Sequence, residues 1–311
     1  MNELEKLQEF LNEKADCTAR LNLMPYQGSP EIKENNKNKY LYVRKRIAGK
    51  LTSTYVDVYS DELYQILLKN AKDARALNKR IRQIEKELSS LGYTESELSE
   101  RVYQNIDFAR ANMKSNIYDQ AVLEGVGTSF PQTEEIINNG TVNGVKASDV
   151  QKILNLKHAW EFILDKDVLQ SKSDFYMLSH IAKLINEGFY MNGGRVRSVP
   201  VTIGGSSYVP DIPIESVVIE NIQRIRTAEK PPVDVAIDLC LYCMRTQTFI
   251  DGNKRAAVIY ANHYLISHGQ GFIVIPEKNV EEFKKLLVQF YESDDSLIIR
   301  SFLIEKCWKN F

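Results

Sequence analysis

With 40 Lys and Arg against 41 Asp and Glu in 311 residues, the chain carries a formal net charge of -1. No bulk electrostatic attraction therefore draws it to nucleic acid or membrane, and any such partner must be met by a local patch. A hydrophobic content of 43% supports a sizeable core in one large domain or a main domain with an appendage, and no stretch approaches the about 20 apolar residues of a membrane span.

The opening "MNELEKLQEFLNEK" is charged and amphipathic without an apolar signal core, which predicts a short helix to about residue 24 and a cytoplasmic protein. "PYQGSPEIKENNKNK" follows with the Pro, Gly, Asn and Lys content of a linker. Two β-like runs, "YLYVRKRI" and "LTSTYVDVY", meet across Ala48, Gly49 and Lys50 and predict a hairpin. Between 37 and 50, Lys37, Lys39, Arg44, Lys45, Arg46 and Lys50 interleave with Tyr40 and Tyr42. Such a surface can meet phosphates and stack bases, or it is a solvated edge blunted by lysines. From Asp61 to Leu91, Ala74, Leu77, Ile81, Ile84, Leu88 and Leu91 recur at three and four spacing, the seam of a helical hairpin.

Thr94 with Glu97 reads as a capping box that opens a long helix to about Glu124, the second arm of that hairpin, and the domain boundary falls between 94 and 95. Helices are predicted at 132–139, ended by Gly140, at 149–165, capped by Ser148, and at 173–187, ended by Gly188. "SVPVTIGGSSYVPDIP", 198–213, is β-like on both sides of Gly204 and Gly205 and predicts a hairpin. Helices return at 214–228, 233–246, 254–267, 278–292 and 295–308. The fold class is mainly α, with an N-terminal β-hairpin and helical-hairpin extension and a second hairpin in the C-terminal part. Cys17, Cys240, Cys243 and Cys307 offer one CxxC pair without a partner pair or nearby His, so buried structural thiols are expected. Among the histidines, His180 sits on an apolar helix face as a core residue, and His158 reads as a surface residue.

"RTQTFIDGNKRAAV", Arg245 to Val258, reads helix, tight loop, helix. Gly252 lets the backbone approach a ligand, Asn253 suits a helix N-cap, and the next helix points free N–H groups and its positive dipole end at whatever sits there. Arg255 adds a guanidinium fork for phosphate oxygens, and Asp251 offers a carboxylate to Mg²⁺. A polar turn with solvated charges is the plain alternative.

Residues 247–258 resemble the signature loop HxFx(D/E)GNGRxxR of the Fic/Doc (Fido-domain) family, matching at Phe249, Asp251, Gly252, Asn253 and Arg255. "VTIGGSSYVP" at 201–210 is similar to that family's β-hairpin flap. "LEGVGTSFPQTEEIINNG" at 123–140 looks like its inhibitory-helix segment, and "LINEGFYMNGGRVRSVPV" like the link from core helix to flap. The likeness spans roughly 95–311. It implies a Fic-type helical bundle with a hairpin flap and an inhibitory-type segment near 120–126. It further implies ATP or another nucleotide with Mg²⁺ as cofactors, and transfer of AMP or phosphate to a protein Ser, Thr or Tyr hydroxyl. On this resemblance Asp251 is the metal ligand, and Asn253, Lys254 and Arg255 hold phosphates with the amides near Gly252. Gly204 and Gly205 of the flap border the nucleotide, a target protein docks along 201–210, and Glu124 stands where the family has an inhibitory Glu. A homodimer is compatible with it.

Three positions depart from the family pattern. Gln247 stands where the family has its catalytic His, Lys254 replaces the second Gly, and Val258 replaces the second Arg. The resulting "GNKR" looks like the Doc branch, associated with phosphate transfer. A carboxamide cannot accept a proton near neutral pH, which implies a loss of roughly 10²–10⁴ in rate. His263 and His268 lie too far along the next helix to substitute. The residue four before Glu124 is Gln120, where Ser or Thr is usual. Two functions therefore stand: a nucleotide-dependent transferase with weakened or altered activity, or a pseudoenzyme that binds a nucleotide or protein, with a nucleic-acid adaptor through 37–50 as a further variant.

Overall fold

The computed structural model describes all residues except 1–2, 25, 36–37, 48–49, 94–97 and 141. The chain divides into two units, Met1–Glu95 and Ser96–Phe311.

In the first unit, helix α1 (Glu3–Leu23) packs on helix α2 (Asp61–Ser90). Leu11 of α1 meets Ile84 and Leu88 of α2, flanked by Leu7, Phe10 and Tyr93, and Arg80 holds Glu13 through two hydrogen bonds of 2.6 Å. The seam predicted on α2 therefore closes on α1. The arm assigned to 94–124 is a correction, since periodicity shows that a helix has an apolar stripe and is silent about which helix covers it. Thr94 and Glu97 lie outside the described residues.

The presumed linker is also corrected. Ser29–Asn35 is strand β1, paired antiparallel with β2 (Asn38–Ile47), which pairs in turn with β3 (Lys50–Val58). One face of this meander packs Leu41 and Val43 on Leu67 of α2, with Val56, Tyr59, Leu63 and Tyr64 around them. β1 is mostly exposed, so its residues need not be apolar, and composition alone makes it look like a tether. The Ala48–Gly49 turn lies outside the described residues.

The second unit begins with α3 (Glu100–Ala111) and α4 (Met113–Leu123), broken at Asn112 where one long helix was predicted. Asn112 donates its side-chain amide to the Phe108 carbonyl at 2.8 Å and ends the first segment. After α5 (Phe130–Asn139), closed by left-handed Gly140, come α6 (Ala147–Ile163), α7 (Lys166–Leu169) and α8 (Phe175–Ile185). Lys146, not Ser148, precedes α6 as its cap residue. The remaining helices are α9 (Glu215–Arg226), α10 (Pro232–Thr246), α11 (Asn253–Ser267), α12 (Val280–Ser293) and α13 (Leu297–Phe302). A π-turn at Leu303–Cys307 follows α13, and short strands β4 (Phe272–Ile273) and β5 (Trp308–Lys309) pair antiparallel.

Helix α11 is the axis of this unit, packed by α10, α8, α6, α3 and β4 and buried continuously from Arg255 to Ile266. Asn262, buried within it, exchanges two hydrogen bonds with the backbone of Ile273 (2.7 and 2.8 Å), tying α11 to β4. The helices are those of the predicted mainly α class. Among the described residues no helix is long and apolar enough to cross a membrane.

The hairpin predicted at 198–213 is absent as a ladder: no residue there is in a strand. A single β-turn remains, closed from Ser206 N–H to the Ile203 carbonyl at 3.3 Å, with Gly205 at φ 80°. Pro200, Pro210 and Pro213 remove donors that a ladder would need, and Ser206 and Ser207 bond the Glu292 carboxylate instead.

His158 is a further correction. It is buried and lies 3.6 Å from the Glu187 carboxylate. His263 is enclosed entirely, with Nδ1 at 2.7 Å from Ser173 Oγ and Nε2 at 2.8 Å from the Val168 carbonyl. Burial moves its pKa from 6.5 down to about 4. A folded pKa below the unfolded one means stability is complete above pH 6.5 and falls as pH drops toward 4. The loss amounts to about 3 kcal/mol at the lower end. Urea midpoints measured from pH 7.5 to 4.5 should fall accordingly, and His263→Gln should flatten the slope over that window.

Candidate functional site

The loop between α10 and α11 is organised by its own polar side chains. Gln247 closes α10 in the left-handed region, φ 48° and ψ 56°, its N–H bonded to the Cys243 carbonyl. A residue with a side chain is strained there, and such strain is retained where the surroundings over-determine it. Here they do. The Gln247 carboxamide donates to the Met244 carbonyl at 2.5 Å and accepts from Asn253 Nδ2 at 3.1 Å. Asn253 also bonds both the N–H and the carbonyl of Phe249, at 2.9 and 2.8 Å, and the Phe249 ring is buried below the loop.

The helix start differs from expectation at one point. Gly252, with φ 73°, is the N-cap of α11, and Asn253 is already its first helical residue, so its side chain staples the loop rather than capping the helix. Glycine at 252 is required twice over: the backbone is left-handed, and a Cβ would lie 2.8 Å from Ile185 and 3.0 Å from Asn186 Oδ1. Asn186 is buried and donates to the carbonyls of Asp251 (2.9 Å) and Gly193 (3.0 Å).

Charge concentrates on one side. The side chain of Arg255 is 3% exposed, with Nε 3.4 Å from Glu124 and Nη2 3.1 Å from Asp251. Its Nη1 is buried with no hydrogen-bond partner. Lys254 Nζ stands 3.7 Å from the same Glu124, which ends α4 just before left-handed Gly125. Gln120, one turn earlier, donates to the Arg255 carbonyl at 3.0 Å and accepts from Trp160 Nε1 at 3.3 Å. Two cations and two carboxylates, Glu124 and Asp251, thus meet at the start of α11. Val258 is buried in the core and adds no charge.

Neither Tyr291, His263 nor the neighbouring thiols supply a base. Tyr291, whose hydroxyl faces Gln247, has its phenol pKa pushed up by burial first and then by Cys240 and Glu124, and stays protonated. His263 is committed to Ser173 and Val168. Cys240 and Cys243 are buried free thiols, Cys240 pushed up to about 12, and so inert.

The 4–65 stretch matches a family described as a domain of unknown function (DUF6788). No curated protein matches the chain. Among solved structures, Fic-1 (residues 134–508) from C. elegans superposes with a TM-score of 0.53 at 18% identity, over 79% of this chain and 74% of that one. A Fic domain containing signaling protein from Bacteroides thetaiotaomicron gives 0.51 at 18%, over 72% and 88%. A Fic family protein from Desulfovibrio desulfuricans G20 gives 0.53 at 13%, over 68% and 73%. The chain has the Fic fold. At these identities the likeness concerns architecture, and activity must be argued from the site.

In this Fic fold, Gln247, Asp251, Gly252, Asn253, Lys254, Arg255 and Glu124 come together at one helix start. Gly204 and Gly205 lie in open space, where a Cβ on either would meet nothing within 4 Å. The 199–211 segment is instead anchored at its base by Arg197, which sequence reasoning missed. Its buried guanidinium donates to the carbonyls of Gln247 (2.6 Å), Val199 (2.8 Å), Pro210 (3.3 Å) and Asp211 (2.5 Å), and its N–H reaches the Thr248 carbonyl. One buried cation therefore joins the loop to both limbs of the segment. Tyr208 from that segment lies under Arg245 at 4.5 Å, on the wall of a cleft of about 410 Å³ that also includes Tyr242, Thr246 and Asp294. Asn186 and Arg197 carry no local signal of these roles, because their partners in the loop, Asp251 and Gln247, lie 50 or more residues away in the chain, and Gln120, noted only for its spacing from Glu124, reaches the Arg255 carbonyl.

Proposed function

We propose that the chain binds a nucleotide through its phosphates at the start of α11, with group transfer slow or absent because Gln247 cannot take a proton. The observation that carries this reading is Arg255: a buried guanidinium beside a helix N-terminus, with Nε held only by a 3.4 Å ion pair to Glu124 and Nη1 without a hydrogen-bond partner. Burying an unpaired charged donor costs about 1–3 kcal/mol or more, a cost that a phosphate oxygen at this position removes. The Asp251 side chain is half exposed, and its carboxylate suits Mg²⁺, a hard cation held by one carboxylate, phosphate oxygens and water. When bound, the metal would neutralise phosphate charge.

Glu124 acts in this reading as the internal counter-ion that a phosphate must displace from Lys254 and Arg255, which gives the inhibitory role implied by the family resemblance a physical form. Glu124→Ala should tighten Mg·ATP binding by about tenfold in calorimetry, because a like charge beside the phosphate is removed. Unchanged affinity would show that Glu124 braces the fold and leaves the anion site alone. The expected cytoplasmic location, a docked target protein and a homodimer belong to the same proposal. The turn at 203–206 alters the docking element: a target would meet an extended segment braced by Arg197 and Glu292, without a preformed hairpin edge.

A further inference from the structure

The 29–58 sheet of the first unit has one face packed on α2 and a second face turned away from it. Its register sets Tyr42 opposite Tyr55, Arg44 opposite Ser53 and Arg46 opposite Leu51. Side chains alternate across a strand, so while Leu41 and Val43 face α2, Tyr42, Arg44 and Arg46 point the other way. The Tyr55 ring lies 5.5 Å from Tyr42 and 6.3 Å from Tyr40, and Lys33 Nζ sits 4.3 Å over the Tyr42 ring. Tyr55 is 49% exposed and Leu51 59%.

Charge on this segment runs against the chain as a whole. Residues 29–58 hold seven Lys and Arg against three Asp and Glu, in a protein of net charge -1. Two of those acids, Glu31 and Glu34, already stand 3.8 and 3.4 Å from Lys33 and Lys39. Arg44 and Arg46 are exposed and make no ion pair among the described residues. Lysines alone would serve to keep an edge soluble, and they give no reason to expose Tyr55 and Leu51 beside the half-buried Tyr40 and Tyr42. Aromatic faces flanked by cations are what a single strand needs, with bases free to stack and phosphates to be neutralised. A duplex hides its base faces and could use only the cations.

We propose that this face binds single-stranded nucleic acid, with bases stacked on Tyr42 and Tyr55 and phosphates met by Lys33, Arg44 and Arg46. The test is fluorescence anisotropy with the full chain and fluorescein-labelled oligothymidylate and oligouridylate of about 15 nucleotides, within single-strand site sizes. Binding should weaken with salt at a log–log slope of about -2, from three cations at about 0.7 each. Tyr55→Ala should weaken it by about tenfold and Tyr55→Phe hardly at all, because stacking needs the ring and not the hydroxyl. Arg44→Ala with Arg46→Ala should flatten the slope to about -0.7. These side chains are exposed, so thermal melting should be unchanged, and Arg255→Ala should leave oligonucleotide binding intact, which separates this face from the nucleotide site. Equal binding by Tyr55→Ala and wild type, equal affinity for a duplex, or retention on phosphatidylserine vesicles with no binding to either oligonucleotide overturns the proposal.

Discussion

Arg255→Ala is expected to weaken Mg·ATP binding by about 30-fold or more, equivalent to about 2–5 kcal/mol, the range for removing one partner of a buried charge pair. Two effects add. The guanidinium with its unpartnered Nη1 is lost, and Glu124, with its side chain only 12% exposed, is left with Lys254 at 3.7 Å as its ion-pair partner. An uncompensated carboxylate beside the helix start then repels the phosphate that the helix dipole attracts. Arg255→Lys should fall between the two, since it keeps the charge and loses the planar fork. Calorimetry with ATP and ADP, alongside thermal melting to confirm folding, measures this directly. Wild-type affinity in both folded variants would remove the phosphate site from the α11 start.

Gln247→His is expected to gain transfer of label from ATP to protein by roughly 10²–10⁴ over wild type, the usual worth of a positioned base. The backbone favours the change, because histidine accepts the left-handed conformation that Gln247 already holds at φ 48°. The Met244 carbonyl that now receives the Gln247 amide can receive an imidazole N–H instead, leaving the second ring nitrogen as the acceptor. Parallel assays with α- and γ-labelled ATP distinguish AMP transfer from phosphate transfer. If the His variant binds nucleotide and transfers neither label, the missing base is not the only obstacle. Lys254 and Val258 then hold the donor in an unproductive orientation, and the chain is a binding module.

How the sequence and the tertiary structure divide the explanation is clearest at particular residues. The α10–loop–α11 unit was legible because its signals are local: an apolar run ending at Thr246, Gly252 where φ must be positive, and a buried Phe249 between them. The helical class was legible for the same reason, since helix periodicity and terminators act within a few residues. What lay beyond reach depends on partners distant in the chain. α2 carries an apolar seam in any context, yet only packing decides that α1 closes it, just as only pairing with β2 turns a polar, linker-like stretch into the strand β1. The 198–213 segment has strand-like composition, but Arg197, Glu292 and three prolines take up or remove the hydrogen bonds that a hairpin needs. Glu124 could be named from sequence as a candidate. Its place 3.4 Å from Arg255 and 3.7 Å from Lys254 comes from α4 ending beside the start of α11, a long-range arrangement that no local propensity encodes.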